Sequence, residues 1–244
     1  MTAVKIPENS ALDDMTLLTQ HPEQNVIRLQ LKQNTALQAL EPEDCAEFES
    51  LLEITDGHKG DFLLMQGVRR MEQYFIVDGI LKRVVANGKG KEMILRFAAE
   101  GDMETSYAAW RLGKPTPYAI VCVTKARVAR LPLPAWAAFI ERRPTLAKAF
   151  EFAVMRGMSE IMEHTITLHL LDGPGRVHRF MRKHPELQDN IPQKELAAYL
   201  NLSAETLSRL IRRRNAAQQD AIEDATEAAT EAATEAAVDP ASED

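Results

Sequence analysis

The chain has 244 residues, 45% of them hydrophobic and 27% charged, with a formal net charge of −7. That balance suits a folded core, and apolar runs such as Tyr118 to Val123 fall far short of the ~20 residues a membrane helix needs. Met1 to Ser10 lacks a basic start followed by an apolar stretch, so no secretory signal is expected. Two cysteines, Cys45 and Cys122, make no disulfide framework, and together these features point to a reducing cytoplasm.

The net charge hides an asymmetry. Residues 216–244 hold nine acidic residues and no Lys or Arg, which leaves 29 basic against 27 acidic residues in positions 1–215. Positions 171–215 carry nine basic and five acidic residues, a net of +4. Local charge of this kind attracts phosphates whatever the total.

In chain order, residues 1–35 are polar and weakly periodic, with no clear element before Leu37. Pro42, Glu43 and Asp44 open a short helix to about Leu52, because Pro suits the first turn and acids suit the positive helix end. From Thr55 to Leu133, besides Gly57 and Gly88, glycines fall at 60, 67, 79, 90, 101 and 113. Between them lie β-prone runs: Phe62–Met65, Tyr74–Val77, Ile80–Val85, Glu92–Phe97, Tyr118–Thr124 and Arg127–Leu131. Short strands at such spacing predict a sandwich, jelly roll or barrel.

A helix follows Pro134, and a much longer one follows Pro144. On the long helix Phe150, Val154, Met158, Ile161 and Leu168 recur at helical spacing and form an apolar face, flanked by Met155, Met162, Ile166 and His169. This face either packs inside its own domain or pairs with a second copy. Asp172 to Gly175 reads as a hinge, then Val177–Lys183 as a short helix. Pro192 opens a helix from Gln193 to Leu200, Asn201-Leu202 makes a turn, and Ser203 caps a second helix to about Arg214. From Thr226 to Ala237 Thr-Glu-Ala-Ala repeats every four residues, which reads as a disordered or solvated helical tail. Its acids follow Arg212, Arg213 and Arg214 closely, so competition with DNA phosphates and simple solubility both stay open as its role.

Residues 191–214 carry the functional signal. Leu196, Ala197, Leu200, Leu202, Leu207, Leu210 and Ile211 join two helices. The face left outside the second helix offers Ser203, Glu205, Thr206, Ser208, Arg209, Arg212 and Arg213, a polar fork backed by arginines for phosphates.

The segment resembles the helix-turn-helix of the CRP/FNR family. Gly88-Lys89-Gly90-Lys91-Glu92-Met93-Ile94-Leu95 and Glu100-Gly101-Asp102 resemble the roll of that family's cyclic-nucleotide-binding-like domain. The resemblance implies an α+β chain with an antiparallel β-roll or jelly roll, a long dimerisation helix and a C-terminal helix-turn-helix. It divides the chain into an N-terminal extension (1–35), a sensory roll (36–145), the dimerisation helix (146–171), the DNA-binding domain (172–215) and the acidic tail (216–244). It further implies a homodimer joined through Phe150, Val154, Met158, Ile161 and Leu168, bound to palindromic double-stranded DNA, with RNA polymerase as a partner in an activator. Glu205-Thr206-Leu207-Ser208-Arg209 matches the Glu-x-x-Ser-Arg pattern of the family's fumarate–nitrate branch. Glu can accept from a cytosine amine, and Arg can fork onto guanine. Ala204 stands where the cyclic-AMP branch has Arg.

Three departures bear on the effector and the contacts. The family's phosphate cassette wants Gly-Glu and later Arg-Ser, whereas Thr105-Ser106 and Thr116-Pro117 stand here, with Glu104 out of register. Cyclic AMP is therefore not expected, since a buried phosphate needs a cation. Two isolated cysteines do not hold a four-ligand iron–sulfur cluster. The chain also runs from the second helix into the acidic tail without a β-hairpin wing.

Six histidines (His21, His58, His164, His169, His178 and His184) leave a haem ligand open, although their spacing favours structural and surface roles. A cupin-like metalloenzyme needs closely spaced histidines on the roll, and none lies between His58 and His164. Neither cysteine has a nearby His partner for nucleophilic catalysis. No enzyme is expected. A ligand-binding module without a DNA role is the remaining alternative, and salt-dependent binding to a palindromic duplex separates it from the DNA reading.

Overall fold

The computed structural model describes residues 15–216, except 186, 188 and 189, together with 219 and 226. Residues 1–14 and nearly all of the acidic tail lie outside the described residues. Nine strands form two antiparallel sheets. They are β1 (Thr16–Leu17), β2 (Glu53–Gly57), β3 (Phe62–Leu64), β4 (Glu72–Asp78), β5 (Leu81–Ala86), β6 (Glu92–Ala98), β7 (Met103–Thr105), β8 (Ala119–Cys122) and β9 (Ala126–Pro132). One sheet has the order β1-β2-β9-β4-β7, the other β3-β8-β5-β6. All six strands expected from the sequence are present, within two residues at either end. β1, β2 and β7 add to them.

The six turn glycines all adopt positive φ. Gly79 is the most constrained. A Cβ there would lie 2.2 Å from the backbone oxygen of Lys125, so both its φ and its neighbour exclude a side chain.

The molecule is layered. Between the sheets lie Leu63, Tyr74, Ile76, Leu81, Ile120 and Val128. On the outer face of the first sheet, Phe75, Val77 and Leu131 meet helices that supply Phe48, Trp136, Phe139 and Phe150. On the outer face of the second, Val84, Ile94, Phe97 and Val121 meet the C-terminal helices through Phe180, Leu196 and Tyr199. β4 is therefore covered on both faces, which is why Gln73 to Val77 are all buried and the strand does not alternate.

The helices are α1 (Gln24–Leu31), α2 (Cys45–Leu51), α3 (Tyr107–Arg111), α4 (Leu133–Glu141), α5 (Pro144–Leu170), α6 (Gly173–Lys183) and α7 (Gln193–Tyr199). An eighth, α8, is described over residues 204–216. α1 corrects the expectation of no element before Leu37. It buries only Ile27 and Leu31 while Val26 and Leu29 face solvent, so its apolar residues do not read as one stripe. Residues 15–35 thus pack into the roll, with Leu18, Ile27 and Leu31 in its core.

Two further expectations are corrected. The hinge read at Asp172–Gly175 shrinks to Leu171-Asp172. The Asp172 side chain accepts from the backbone N–H of Gly175 at 2.9 Å, and α6 starts at Gly173. The outward stripe of α5 is rotated from the one read in the sequence. Phe150 is fully buried, edge-on to Tyr107 and Trp136 at 5.0 and 5.3 Å between ring centroids. Val154, Ile161 and Leu168 are half-buried, and Met158 alone of that set is exposed. The free stripe is Phe152, Met155, Met158, Met162, Ile166 and Leu170. Leu146, Phe150, Gly157 and His164 turn instead toward the chain's own body.

Candidate nucleic-acid interface

The helix-turn-helix is built around buried Leu196, Ala197, Leu200 and Leu207. Asn201 ends α7 with φ 53°, a left-handed conformation that Asn tolerates, and the N–H of Leu202 closes onto the Ala197 carbonyl at 2.9 Å. Ser203 then caps α8, its Oγ accepting from the Thr206 N–H at 3.1 Å and donating to Thr206 Oγ1 at 2.9 Å. Ser203 and Thr206 thus shape the start of the helix. Glu205, Arg209, Arg212 and Arg213 are exposed, with Ser208 half-buried beside them. Among the described residues none forms an ion pair with these four. Their charges stand free toward solvent, next to the basic α6.

The turn is fastened to the long helix. Arg176 on α6 donates to the carbonyls of Leu168, Leu171 and Leu200 at 3.0, 2.8 and 3.2 Å. His164 on α5 stacks on Tyr199 at 3.7 Å and an interplanar angle of 5°. Burial lowers the His164 pKa to about 4, although a backbone contact with Tyr199 opposes the shift. Lys82 of β5 pairs with Glu195 of α7 at 2.7 Å, on the roll's outer face. The His164–Tyr199 and Lys82–Glu195 ties are not legible in the sequence, because each joins residues distant along the chain.

Inside the roll, the segment aligned with the phosphate cassette is closed by its own side chains. Arg83 occupies an inward position of β5, like Leu81. Its Nε and Nη2 donate to Glu104 Oε2 at 2.9 and 2.6 Å, and Nη2 also reaches the Thr105 carbonyl at 3.3 Å. Glu104 is fully buried. Arg96 of β6 approaches its other oxygen at 3.4 Å, and reaches Asp102 and Glu160 at 3.5 Å each. Burial opposes the Arg96 charge, but Glu104, Asp102 and Glu160 outweigh it and raise its pKa. Ser106 and Thr116 share a 3.1 Å hydrogen bond, and the Tyr118 hydroxyl donates to the Thr105 carbonyl at 2.7 Å. The space left between this network and Gly157 and Met158 of α5 is about 30 Å³, the share of one water molecule. A cyclic nucleotide does not fit these residues. No guanidinium is free for its phosphate, and the cavity is too small. The sequence offered one clue to the network, an arginine at an apolar slot of a strand.

The chain thus joins a two-sheet roll, through a long helix, to a helix-turn-helix. Residues 57–143 match the family described as Cyclic nucleotide-binding domain. The chain is 23% identical to the cAMP-activated global transcriptional regulator CRP of Salmonella typhimurium over 160 residues, 62% of this chain and 76% of that protein. It is also 23% identical to the nitrogen fixation regulation protein FixK of Bradyrhizobium diazoefficiens over 190 residues, 73% of this chain and 78% of that protein. Among solved structures, FixK2 of Bradyrhizobium japonicum superposes with a TM-score of 0.60 at 15% identity, covering 68% of this chain and 85% of that one. The c-di-GMP-responsive global regulator CLP of Xanthomonas campestris gives 0.60 at 12% identity, covering 73% and 93%. These two likenesses bear on the fold. By sequence, the chain is thus similar to transcription regulators of the CRP and FixK type, and residues 57–143 carry the cyclic nucleotide-binding domain match. Among the described residues, no helix is long and apolar enough to cross a membrane.

Proposed function

We propose that the chain regulates transcription by binding a palindromic DNA operator as a homodimer, with α8 lying in the major groove. The carrying observation is the free Glu205–Arg209 pair, four residues apart on one exposed face of a helix anchored by fully buried Leu207. That spacing lets a carboxylate and a guanidinium address neighbouring base edges. Arg212 and Arg213 suit phosphates. The same free charges argue against a ligand-binding module without a DNA role.

Arg209→Ala is expected to cost about 1–3 kcal/mol in operator binding and to relax base choice at one position of each half-site. Replacing Arg212 and Arg213 is expected to flatten the salt slope without changing the preferred sequence. Fluorescence anisotropy against operator variants reads both effects. Unchanged affinity and selectivity in Arg209→Ala would remove α8 as the reader.

The second copy is assigned to the free stripe of α5. Six large apolar side chains, each 49–78% exposed, recur at steps of three or four residues from Phe152 to Leu170. A row of this kind on a long helix suits a parallel partner presenting the same row.

Cyclic AMP is excluded as the effector in this reading, because the Arg83–Glu104 pair and the Ser106–Thr116 bond already occupy the aligned pocket. Calorimetry with cyclic AMP and cyclic GMP should record no binding heat. Micromolar affinity for either would overturn the exclusion.

A further inference from the structure

A second cavity lies outside the roll, between α1, α2 and the segment joining them. It measures about 470 Å³, within the range of small-molecule sites. α1 and the residue after it turn Arg28, Leu31 and Lys32 toward it, and α2 turns Cys45, Phe48 and Glu49. Both triplets follow the i, i+3, i+4 spacing of one helix face. Leu37 and Leu40 of the joining segment complete an apolar wall with Leu31 and Phe48.

The charges at the rim are unequal. Arg28 is engaged, its Nε donating to Glu49 Oε2 at 2.9 Å and its Nη1 to Asn25 Oδ1 at 2.9 Å. Glu49 is neutralised by the same contact. Lys32 is exposed, and among the described residues no carboxylate pairs with it. The rim therefore holds one surplus positive charge beside an apolar wall.

We infer that this cleft binds a small organic carboxylate with an apolar body, whose head group meets Lys32 while its body lies on Leu31, Leu37, Leu40 and Phe48. An apolar body alone would forgo the attraction of the exposed Lys32 ammonium, and a cationic amphiphile would be repelled by it. The cleft is mechanically joined to the long helix. Asp44 and Glu47 of the α2 region both grip Arg143, the residue before α5, at 2.6 Å. Arg156 of α5 donates to Thr35 at 3.2 Å. An occupant would thus press on elements that hold the start of α5. The site does not depend on the DNA-binding reading, since ligand occupancy is measured on the free protein.

Cys45 provides the reporter. It is half-buried in the cleft wall, whereas Cys122 is buried and its thiol is pushed up to about 12, chiefly by desolvation. Iodoacetamide should therefore modify Cys45 first. Dodecanoate, added to the full chain below its micelle-forming concentration, is expected to slow Cys45 alkylation in a saturable way. Isothermal titration is expected to give one site per chain. Lys32→Glu reverses the surface charge and should weaken dodecanoate by about tenfold. Leu40→Trp fills the cleft and should abolish protection. Circular dichroism establishes that both variants are folded. Absent protection in the wild type, or undiminished protection in Leu40→Trp, overturns the site. Equal protection by dodecyltrimethylammonium, or an unchanged affinity in Lys32→Glu, overturns the carboxylate assignment.

Discussion

Glu104→Ala is expected to cost about 3–5 kcal/mol of folding stability, the effect of removing one partner from a buried ion pair. The side chain of Arg83 is 6% exposed, and Glu104 is its carboxylate partner. Without Glu104 that guanidinium would keep its charge, because Arg does not deprotonate, and it would stay almost wholly buried. Arg96 would suffer less, since it retains Asp102 and Glu160. The lost volume is a minor term beside the uncompensated charge. Urea unfolding followed by the fluorescence of Trp110 and Trp136 measures the loss. A double variant, Glu104→Leu with Arg83→Leu, should recover most of it, because exchanging a whole buried pair for apolar residues is often close to neutral. A loss below about 1 kcal/mol in Glu104→Ala would mean that water reaches Arg83, as at an exposed pair.

The second large effect concerns assembly. If α5 pairs with a second copy through its free stripe, Met162→Asp should yield a folded monomer. Met162 is 65% exposed, so the substitution costs the single chain little. Operator affinity should fall by about 10²-fold or more, as two half-site contacts cease to be linked. Phe150→Asp should behave differently. It buries a carboxylate among Tyr107, Trp136 and the α5 backbone, and should unfold the chain before it separates any dimer. Light scattering and circular dichroism distinguish the two results. A dimeric Met162→Asp protein would move the interface elsewhere.

This contrast also marks what the sequence could convey. α5 is apolar on more than one side, so the row from Phe150 to Leu168 and the row from Phe152 to Leu170 fit the same period. Only the position of the roll decides which one is used. The strands were legible because Gly60, Gly67, Gly79, Gly90, Gly101 and Gly113 punctuate them, and turn chemistry is local. The helix-turn-helix was legible for the same reason, since Asn201 and Ser203 act within their own turns. α1 was not, because Ile27 and Leu31 gain their meaning only from the sheet beneath them. The Arg83–Glu104 pair spans 21 residues of sequence. Its members look like ordinary surface charges until the two sheets close over them. Of the candidate readers, Glu205, Arg209, Arg212 and Arg213 are exposed, while Thr206 is spent on the cap.

The three carbonyls held by Arg176 belong to the end of α5, to the residue after it and to the helix-turn-helix turn. A planar guanidinium bonded in three directions resists twisting in a way a lone backbone link does not. The junction between the long helix and α8 is thus a stiff coupling rather than a swivel. α5 spans about 40 Å by its helical rise, so it works as a shaft. If α8 reads DNA as proposed, a small roll of that shaft about its own axis would reach α8 as a swing of its exposed face, with little lost to slack on the way.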